Sequence, residues 1–324
     1  MLAENARSAG TFFSVSLEML EPGRIVPCDL WLQHRGGDAL LYRSRDLPLE
    51  EAHIERLRES GVTSILVAFT DADRWAEDLG QRLRGALTDG SRPLSERVET
   101  IMKSSRATMR DIFADPTAPG VKARVGHLAD TFSELMHLPD ALVTTVRLME
   151  HDYYTYTHSV HVALYSLALA RAAGLSDPAY LSSLGRGCLM HDIGKVGLPA
   201  ALLNKTSPLT KREFDRIKTH PMRGTKVFDD AGWSDSLARD IVLSHHERLD
   251  GSGYPRGIHG EFVTVSVRIA AICDAYDAMT TDRSYAKAMP AADALRIIAT
   301  KGRYAYDTVL VKTFIASLLD PLET

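Results

Sequence analysis

The sequence has few cysteines, no long apolar run and no excess of positive charge. Its three cysteines, Cys28, Cys188 and Cys273, are too few and too scattered for a disulfide framework or a thiolate zinc site. The longest apolar stretches fall far short of the ~18 residues that a membrane span needs. With 38 Lys+Arg against 42 Asp+Glu, broad binding to polymeric nucleic acid is not expected. The N-terminus lacks the basic start and apolar core of a secretory signal, which predicts a cytoplasmic protein.

The length of 324 residues suggests about two domains, at roughly 100–200 residues each. Residues 1–90 are predicted to form a small mixed α/β domain. Short β-rich runs (TFFSVSL, DLWLQH, ALLYRS and VTSILVAF) alternate with turn residues, and one helical pattern ends at Gly61. This part contains no metal-ligand spacing or phosphate-binding loop. Its role is therefore either regulatory, through a signal or a partner protein, or purely structural.

The rest of the chain has the pattern of helices. Residues 91–120 are predicted to be an amphipathic segment that either connects the domains or forms a homodimer contact. Its apolar positions are Val98, Ile101, Met102, Met109 and Ile112. Residues 121–324 are predicted to be all helical, and Thr210 with Glu213 forms a capping-box pattern at one helix start. The fold class is therefore mainly α, with a smaller α/β domain at the N-terminus.

Histidines are concentrated in the second part of the chain, where eight of the 12 lie between His151 and His259. The ordered candidates for metal binding are His158, His191, Asp192, His220, His245, His246 and Asp274. Successive groups are 25 to 33 residues apart, which fits one helix and one connection each. Helix bundles build metal sites from side chains on facing helices in this way. Imidazoles with carboxylates suit Zn, Fe or Mn.

Each of these residues alone has a less specific explanation. A single histidine on a helix is more often packed in the core or exposed on the surface than bound to a metal. His245 and His246 point about 100° apart on a helix, so they can share a site only where the helix ends. Asp274 and Asp277 lie in an apolar helix, where a buried carboxylate needs a partner. The ordered set as a whole favours a metal site.

Two segments, HDIGK and HHERLDGSGYPRGIHG, resemble the HD-GYP branch of the HD-domain phosphohydrolases. The HD pair is His191-Asp192, and the GYP triplet is Gly253, Tyr254 and Pro255. The resemblance runs from about Thr157 to Phe314 and includes HPMRG, RIAAICDAYDAMTTDRSY and GRYAYD. It implies an HD-type helical bundle that binds two or three divalent metals, often iron or manganese, and hydrolyses cyclic di-GMP.

The resemblance also assigns roles to individual residues. The ligands implied for the first metal are His158, His191, Asp192 and Asp274. The second metal is implied to share Asp192 and to bind His220, His245 and His246. Lys195 is implied to face the phosphate, and Arg283 and Tyr285 match a substrate-side segment. Tyr254 is expected to provide a ring for packing or guanine contact, and Asp277 is also expected on the substrate side.

The sequence departs from the family pattern in three places. The glutamate that binds a third metal in some members is missing before His158: tyrosines occupy that region, and Glu150 and Asp152 lie further back. Two metals are therefore expected. Ser284 replaces the usual proline, and Ala286 stands where a basic residue is frequent. The N-terminal 120 residues do not resemble the receiver domains that are often fused to this family.

The resemblance implies hydrolysis of cyclic di-GMP to linear pGpG, with GMP as a further product, by a hydroxide held between two metals. Lys195 would lie one turn from His191, on the same face, if HDIGK continues as an α-helix. Two alternatives remain open. One is a cyclic-dinucleotide receptor with little turnover that signals through the N-terminal domain or a partner. The other is a hydrolase of a different cyclic dinucleotide, such as cyclic GMP-AMP.

Overall fold

The structure is a computed structural model that describes residues 7–8, 11–34, 37–149, 155–283, 287–300 and 302–319. The strands are β1 (Arg7–Ser8), β2 (Phe12–Ser16), β3 (Arg24–Ile25), β4 (Leu30–Gln33), β5 (Asp38–Arg43), β6 (Pro48–Leu49) and β7 (Ser64–Ala68). The helices are α1 (Glu51–Glu59), α2 (Ala72–Thr88), α3 (Leu94–Ala114), α4 (Val121–Leu135), α5 (Ala141–Leu148), α6 (Thr155–Ala172), α7 (Pro178–Met190), α8 (Ala200–Leu203), α9 (Lys211–Ile217), α10 (His220–Asp230), α11 (Ser236–Ser244), α12 (Val265–Thr280), α13 (Ala291–Thr300) and α14 (Thr308–Leu319).

The N-terminal strands form an antiparallel sheet in the order β1-β5-β4-β7-β2, and β3 pairs with β6 in a separate two-stranded sheet. Successive side chains along β2 and β7 point to opposite faces of the sheet, and one of these faces packs against the main core. Phe13 pairs with Val67 and Val15 with Ile65 on that side. Gly61 follows α1 with a φ of 74°. The strands and the helix predicted for this part are confirmed.

Helix α2 was not predicted, and it joins the N-terminal part to the helical part. Its buried residues Trp75, Leu79 and Leu83 lie on one face, and the helix packs extensively against α4. One continuous hydrophobic cluster therefore runs from Phe13 to Leu318. The domain limits near residues 90 and 120 stay predictions, since the apolar core does not divide there.

Helix α3 confirms the amphipathic pattern predicted within residues 91–120. All five predicted apolar positions are buried. The helix packs against α2 and β2 on the N-terminal side and against α5 and α6 in the helical part. That apolar face is buried within the chain, so it is not available as a contact with a second copy. The structure thus favours the connecting role over the dimer contact.

The helical part is built around α7, which packs against α4, α6 and α11. Helix α6 is buried on every side from Thr157 to Ala170, as expected for a helix inside a bundle. The capping box of Thr210 and Glu213 is present at the start of α9 and is confirmed. The mainly α fold is confirmed. No helix in the described part of the chain combines the length and the apolar character needed to cross a bilayer.

Candidate metal centre

Five helices bring the seven predicted ligands together in the interior of the bundle. His158 lies on α6 and Asp274 on α12, and both are buried. Helix α7 ends directly before His191 and Asp192, α10 begins at His220, and α11 ends directly before His245 and His246. Side chains separated by more than 110 residues in the sequence, such as His158 and Asp274, therefore lie within 3.0 Å of each other.

Asp192 lies at the middle of the cluster and faces it with both carboxylate oxygens. Its Oδ2 lies 3.8 Å from His158 Nε2 and 3.5 Å from His191 Nε2. Its Oδ1 lies 3.2 Å from His220 Nε2 and 4.0 Å from His245 Nε2. One carboxylate thus belongs to two potential ligand groups, one with His158 and His191 and one with His220, His245 and His246.

Four of the histidines are oriented by hydrogen bonds on their outer ring nitrogens. The Nδ1 of His191 lies 2.6 Å from the carbonyl oxygen of Cys188, and that of His220 lies 2.9 Å from the carbonyl of Ile217. His245 Nδ1 faces two carbonyls at the end of α11, and His158 Nδ1 faces a carboxylate. A proton on Nδ1 that is donated outward leaves the Nε2 lone pair directed inward, which is the tautomer that a metal needs.

The end of α11 allows His245 and His246 to reach the same cluster. His245 is the C-terminal cap of this helix, and His246 lies beyond it, so the two rings do not follow helical spacing. Their ring centroids are 4.1 Å apart. His246 Nδ1 lies 3.5 Å from Asp274 Oδ2, which connects Asp274 to both groups of the cluster. The sequence analysis required a helix to end at this pair if both histidines were to share one site, and α11 does end there.

The charges in the cluster suit a divalent cation. Burial alone would raise the pKa of Asp192, but the Lys195 ammonium and His191 hold it well below its ordinary value. Burial, together with neighbouring histidines, lowers the pKa of His245 far below its usual range. Ionised carboxylate and neutral imidazole are the protonation states that metal binding requires.

The residues present therefore fit the metals implied by the family resemblance. His191 Nε2 is buried and has no hydrogen-bond partner among the described residues, which is the expected state of a ligand atom prepared for a cation. The donor set of imidazole nitrogens and carboxylate oxygens, without a thiolate, suits Fe, Mn or Zn. Glu150 and Asp152, the acidic residues nearest to the missing third-metal ligand, lie outside the described residues.

The placement of Lys195 corrects the expectation of a continuous α-helix through HDIGK. Helix α7 ends at Met190, and a 3-10 helix follows over Ile193–Gly197. A 3-10 helix brings residues i and i+3 to the same side, so Lys195 lies above Asp192. Its Nζ donates a hydrogen bond to Asp192 Oδ2 at 2.5 Å. The lysine reaches the cluster by this tighter geometry and not by α-helical spacing from His191.

Asp277 does not lie on the substrate side as expected. Its side chain is buried and both carboxylate oxygens are used by histidines: Oδ2 lies 2.6 Å from His158 Nδ1 and Oδ1 lies 2.9 Å from His161 Nδ1. Asp277 lies one helical turn after Asp274 on α12. Its carboxylate contacts the outer ring nitrogen of His158, Nδ1, and does not line the cleft. This geometry suits a positioning role better than the expected substrate contact: Asp277 is placed to hold His158 in the tautomer that directs Nε2 toward the cluster.

Asp277→Asn is expected to weaken metal binding by about 10- to 100-fold, the usual effect of altering the partner of a ligating histidine. The asparagine keeps the shape of the side chain but removes the charge that orients His158. Metal titration into the metal-free protein measures this affinity directly. Asp240→Asn is the matched control, since its carboxylate accepts hydrogen bonds from Ser244 and Thr264. Equal metal affinity in the wild type and Asp277→Asn would contradict the positioning role.

A cleft of about 620 Å³ opens directly above the ligand cluster. His220, His246, Asp274 and Lys195 form part of its wall, together with Tyr254 and Arg283. The structure therefore places these two predicted substrate-side residues beside the cluster. Tyr285, Ser284 and Ala286 lie outside the described residues. The volume falls within the range of about 300–1,000 Å³ that is usual for small-ligand pockets.

The loop that carries Tyr254 is held by Glu247, a residue that sequence reasoning missed. The Glu247 carboxylate is buried and accepts hydrogen bonds from the backbone N–H of Arg256 at 2.8 Å and of Ile258 at 3.2 Å. Gly253 packs so tightly that a Cβ there would lie 2.5 Å from Glu247 Cα. The charged residue directly after the histidine pair was the only signal of this anchor in the sequence.

Comparisons with known proteins agree with this architecture. A family model described as "HD domain" matches residues 148–310. A curated protein of Pseudomonas aeruginosa, named "Cyclic di-GMP phosphodiesterase PA4108", is 32% identical over 310 residues, which cover 90% of this chain and 72% of that protein. A Vibrio cholerae protein, named "3′3′-cGAMP-specific phosphodiesterase 3", is 37% identical over 145 residues, which cover 45% of this chain and 31% of that protein.

One solved structure has a similar fold along nearly the whole chain. It is described as Bd1817, an HDG"Y"P protein from Bdellovibrio bacteriovorus, and it has a TM-score of 0.66 at 20% sequence identity. The alignment covers 97% of this chain and 100% of that one. At this level of identity, the similarity concerns the fold alone.

Proposed function

This chain belongs to the HD domain family, in its HD-GYP branch, and from that membership we propose that it hydrolyses cyclic di-GMP to linear pGpG. The relatives named above are phosphodiesterases that act on cyclic dinucleotides, and this chain is a phosphodiesterase as well. The choice of cyclic di-GMP as substrate follows the name of the relative that matches over 90% of this chain. Further turnover of pGpG to GMP is a secondary part of the proposal.

The observation that carries the proposal is the position of Asp192. It faces each of two ligand groups with one oxygen. His220 and His246 of one group, and Asp274 beside His158 of the other, line a cleft large enough for a small ligand. A phosphodiester is anionic, so its hydrolysis needs positive charge on both sides of the phosphorus. A pair of cations shared by one carboxylate meets this need better than a single ion does.

We propose two divalent metals, iron or manganese, with zinc as a further possibility. The first would be held by His158, His191, Asp192 and Asp274, and the second by Asp192, His220, His245 and His246. When bound, such a pair polarises the phosphate and supplies a nucleophile at neutral pH by lowering the pKa of water.

The chain's own groups then bind and orient the phosphodiester. Lys195 lines the cleft with its ammonium 2.5 Å from Asp192, so it can donate to a phosphate oxygen placed at the cluster or to the departing O3′. Arg283 lines the same cleft, and its planar fork suits a phosphate better than a lysine would. Burial raises the pKa of Tyr254 far above its ordinary value, so this ring stays neutral beside the cluster. Tyr285 is proposed as a further contact to the substrate.

The test is turnover by anaerobically purified protein whose metal content has been measured. Chromatography of the products from cyclic di-GMP should give pGpG, and 3′3′-cGAMP is assayed in parallel. Lys195→Met should lower kcat by about 10²–10³-fold, as expected for removing one preorganised charge from the reacting centre. Lys226→Met is the control, because Lys226 is exposed and pairs with Asp230 on the surface. Full turnover in Lys195→Met would remove Lys195 from the mechanism.

Two other functions give different results in the same assay. A hydrolase of another cyclic dinucleotide is favoured by the name of the Vibrio cholerae relative, and it would prefer 3′3′-cGAMP. A receptor would bind cyclic di-GMP with both metals present and release no product.

We also propose that the N-terminal part modulates the activity, through a signal or a partner protein. Helix α3 supports this, because one of its turns carries both a residue that contacts the N-terminal part and a residue that lines the cleft. The Asp111 carboxylate accepts a hydrogen bond from the backbone N–H of Ser16 at 2.9 Å, and burial raises the pKa of Asp111 to about 7. Phe113, two residues further along, lines the cleft. A homodimer remains a prediction without a surface assigned to it.

A further inference from the structure

One part of the cleft wall is formed mainly by apolar side chains. Most of them come from one stretch of the chain, residues 196–217, which runs from the 3-10 helix after α7 to the end of α9. We call this region the apolar lobe. Its members are Val196, Leu198, Leu202, Leu203, Leu209, Phe214 and Ile217. Asn204 and Lys205 of the same stretch also line the cleft, and the Lys205 ammonium is paired with Glu213. The remaining apolar side chains suit a base better than a phosphate, because they cannot replace the hydration of an anion.

A row of stacked groups connects the ligand cluster to the apolar lobe. The Tyr254 ring lies 4.6 Å from the ring of His246, at an interplanar angle of 31°. Lys218 Nζ lies 5.3 Å from the centroid of Tyr254 and 4.8 Å from the centroid of Phe214. The wall of the cleft thus runs from a predicted metal ligand to Phe214. Phe214 is 44% exposed and lines the cleft, so part of its ring is accessible to a ligand there.

Phe214 is held on a well-anchored helix. Glu213 completes the capping box of α9 with Thr210, and it also accepts two hydrogen bonds from Lys205 Nζ, at 2.8 and 2.6 Å. These bonds connect the chain before α9 to its first turn. The ring of Phe214 is therefore presented to the cleft by a fixed element and not by a mobile loop.

We propose that the apolar lobe is the subsite for one purine base of the substrate and that Phe214 is the ring on which this base stacks. This inference rests on the function proposed above. A cyclic dinucleotide carries its bases beside its phosphates, so a phosphate at the ligand cluster brings a base toward one end of the cleft. Aromatic rings bind bases of any sequence through their faces, and a neighbouring cation such as Lys218 strengthens this contact.

The test compares a nucleotide substrate with a phosphodiester that has no base. Phe214→Ala should raise the KM for cyclic di-GMP by about 5- to 150-fold, the range expected for losing one stacked base. Its kcat for cyclic di-GMP should stay close to that of the wild type. The kcat for bis(p-nitrophenyl) phosphate should not change, because the rate at saturating concentrations of this substrate depends on the ligand cluster and not on stacking of its rings. Phe214→Tyr should restore the low KM, since the ring is retained.

Met222→Ala serves as the control, because Met222 is also an exposed apolar residue but is not part of the cleft wall. An unchanged KM in Phe214→Ala would overturn the subsite. A parallel fall in kcat for bis(p-nitrophenyl) phosphate would overturn it too, since it would mean that Phe214 supports the cluster itself. Failure of the proposed function looks different: the wild type would cleave bis(p-nitrophenyl) phosphate and no cyclic dinucleotide.

Discussion

Replacing Asp192 with alanine is expected to remove turnover almost completely and to release one or both metals. Each Asp192 oxygen faces a different ligand group, so its loss affects both groups at once. We expect kcat to fall by at least about 10²–10³-fold, which is the effect of losing a single preorganised electrostatic group, and further if both metals leave. His191→Ala should be less damaging, because this side chain belongs to one group only.

Metal content and thermal unfolding check this result independently of activity. A cation that binds only the folded chain raises the melting temperature, so metal addition should stabilise the wild type. The same addition should have little effect on Asp192→Ala. Asp71→Ala is the matched control, because Asp71 is also buried but lies in the N-terminal part, paired with Arg74. Near-normal metal content and activity in Asp192→Ala would show that the two groups do not share this carboxylate.

Gly194→Ala is expected to be the most destabilising single-methyl change in the catalytic part. The 3-10 helix after α7 packs directly on α10, and a Cβ on Gly194 would lie 2.0 Å from the carbonyl oxygen of His220 and 2.4 Å from the backbone nitrogen of Gly224. Both are backbone atoms, so no side-chain rotation relieves the overlap. Overpacking usually costs about 1–3 kcal/mol, and we expect a value at or above the top of this range.

The measurement is the free energy of unfolding in denaturant, together with the melting temperature. A loss of 3 kcal/mol corresponds to a drop of about 4 °C in a chain of 324 residues, at roughly 2.1 cal/mol/K of unfolding entropy per residue. Because α10 begins at His220, turnover should fall as well. Gly85→Ala is the control: Gly85 lies in α2 with open space around it, and alanine there should stabilise the helix by about 0.4–1 kcal/mol. Equal stability of Gly194→Ala and the wild type would mean that the 3-10 helix and α10 are not in close backbone contact at Gly194.

Several parts of the fold could be predicted because their signals are local. The capping box of Thr210 and Glu213 depends on atoms three residues apart, and the apolar face of α3 is visible in the spacing of its residues. The end of α11 at His245 was expected from the need for two adjacent histidines to share a site. Helix α2 was missed although Trp75, Leu79 and Leu83 have helical spacing, so this omission was avoidable.

Other features have no local signal. The role of Asp277 depends on which side of α12 faces α6, and that is set by how these two helices pack together, since His158 and Asp277 are 119 residues apart in the sequence. Lys195 reaches Asp192 because the chain tightens into a 3-10 helix where Gly194 meets α10. The position of Phe214 in the cleft depends on how α9 lies relative to the loop of Tyr254.

The sequence by itself determined the mainly helical fold and the family, and it predicted the candidate ligand set, because metal ligands must be particular residue types and their spacing along the chain follows a motif. Only the tertiary structure decided which oxygen of Asp192 faces which histidines, that Asp277 stands behind His158, and that an apolar lobe forms part of the same cleft. The physical reason is that these features are distances between elements. Such distances are fixed by close packing of the whole core, which no short segment of sequence contains.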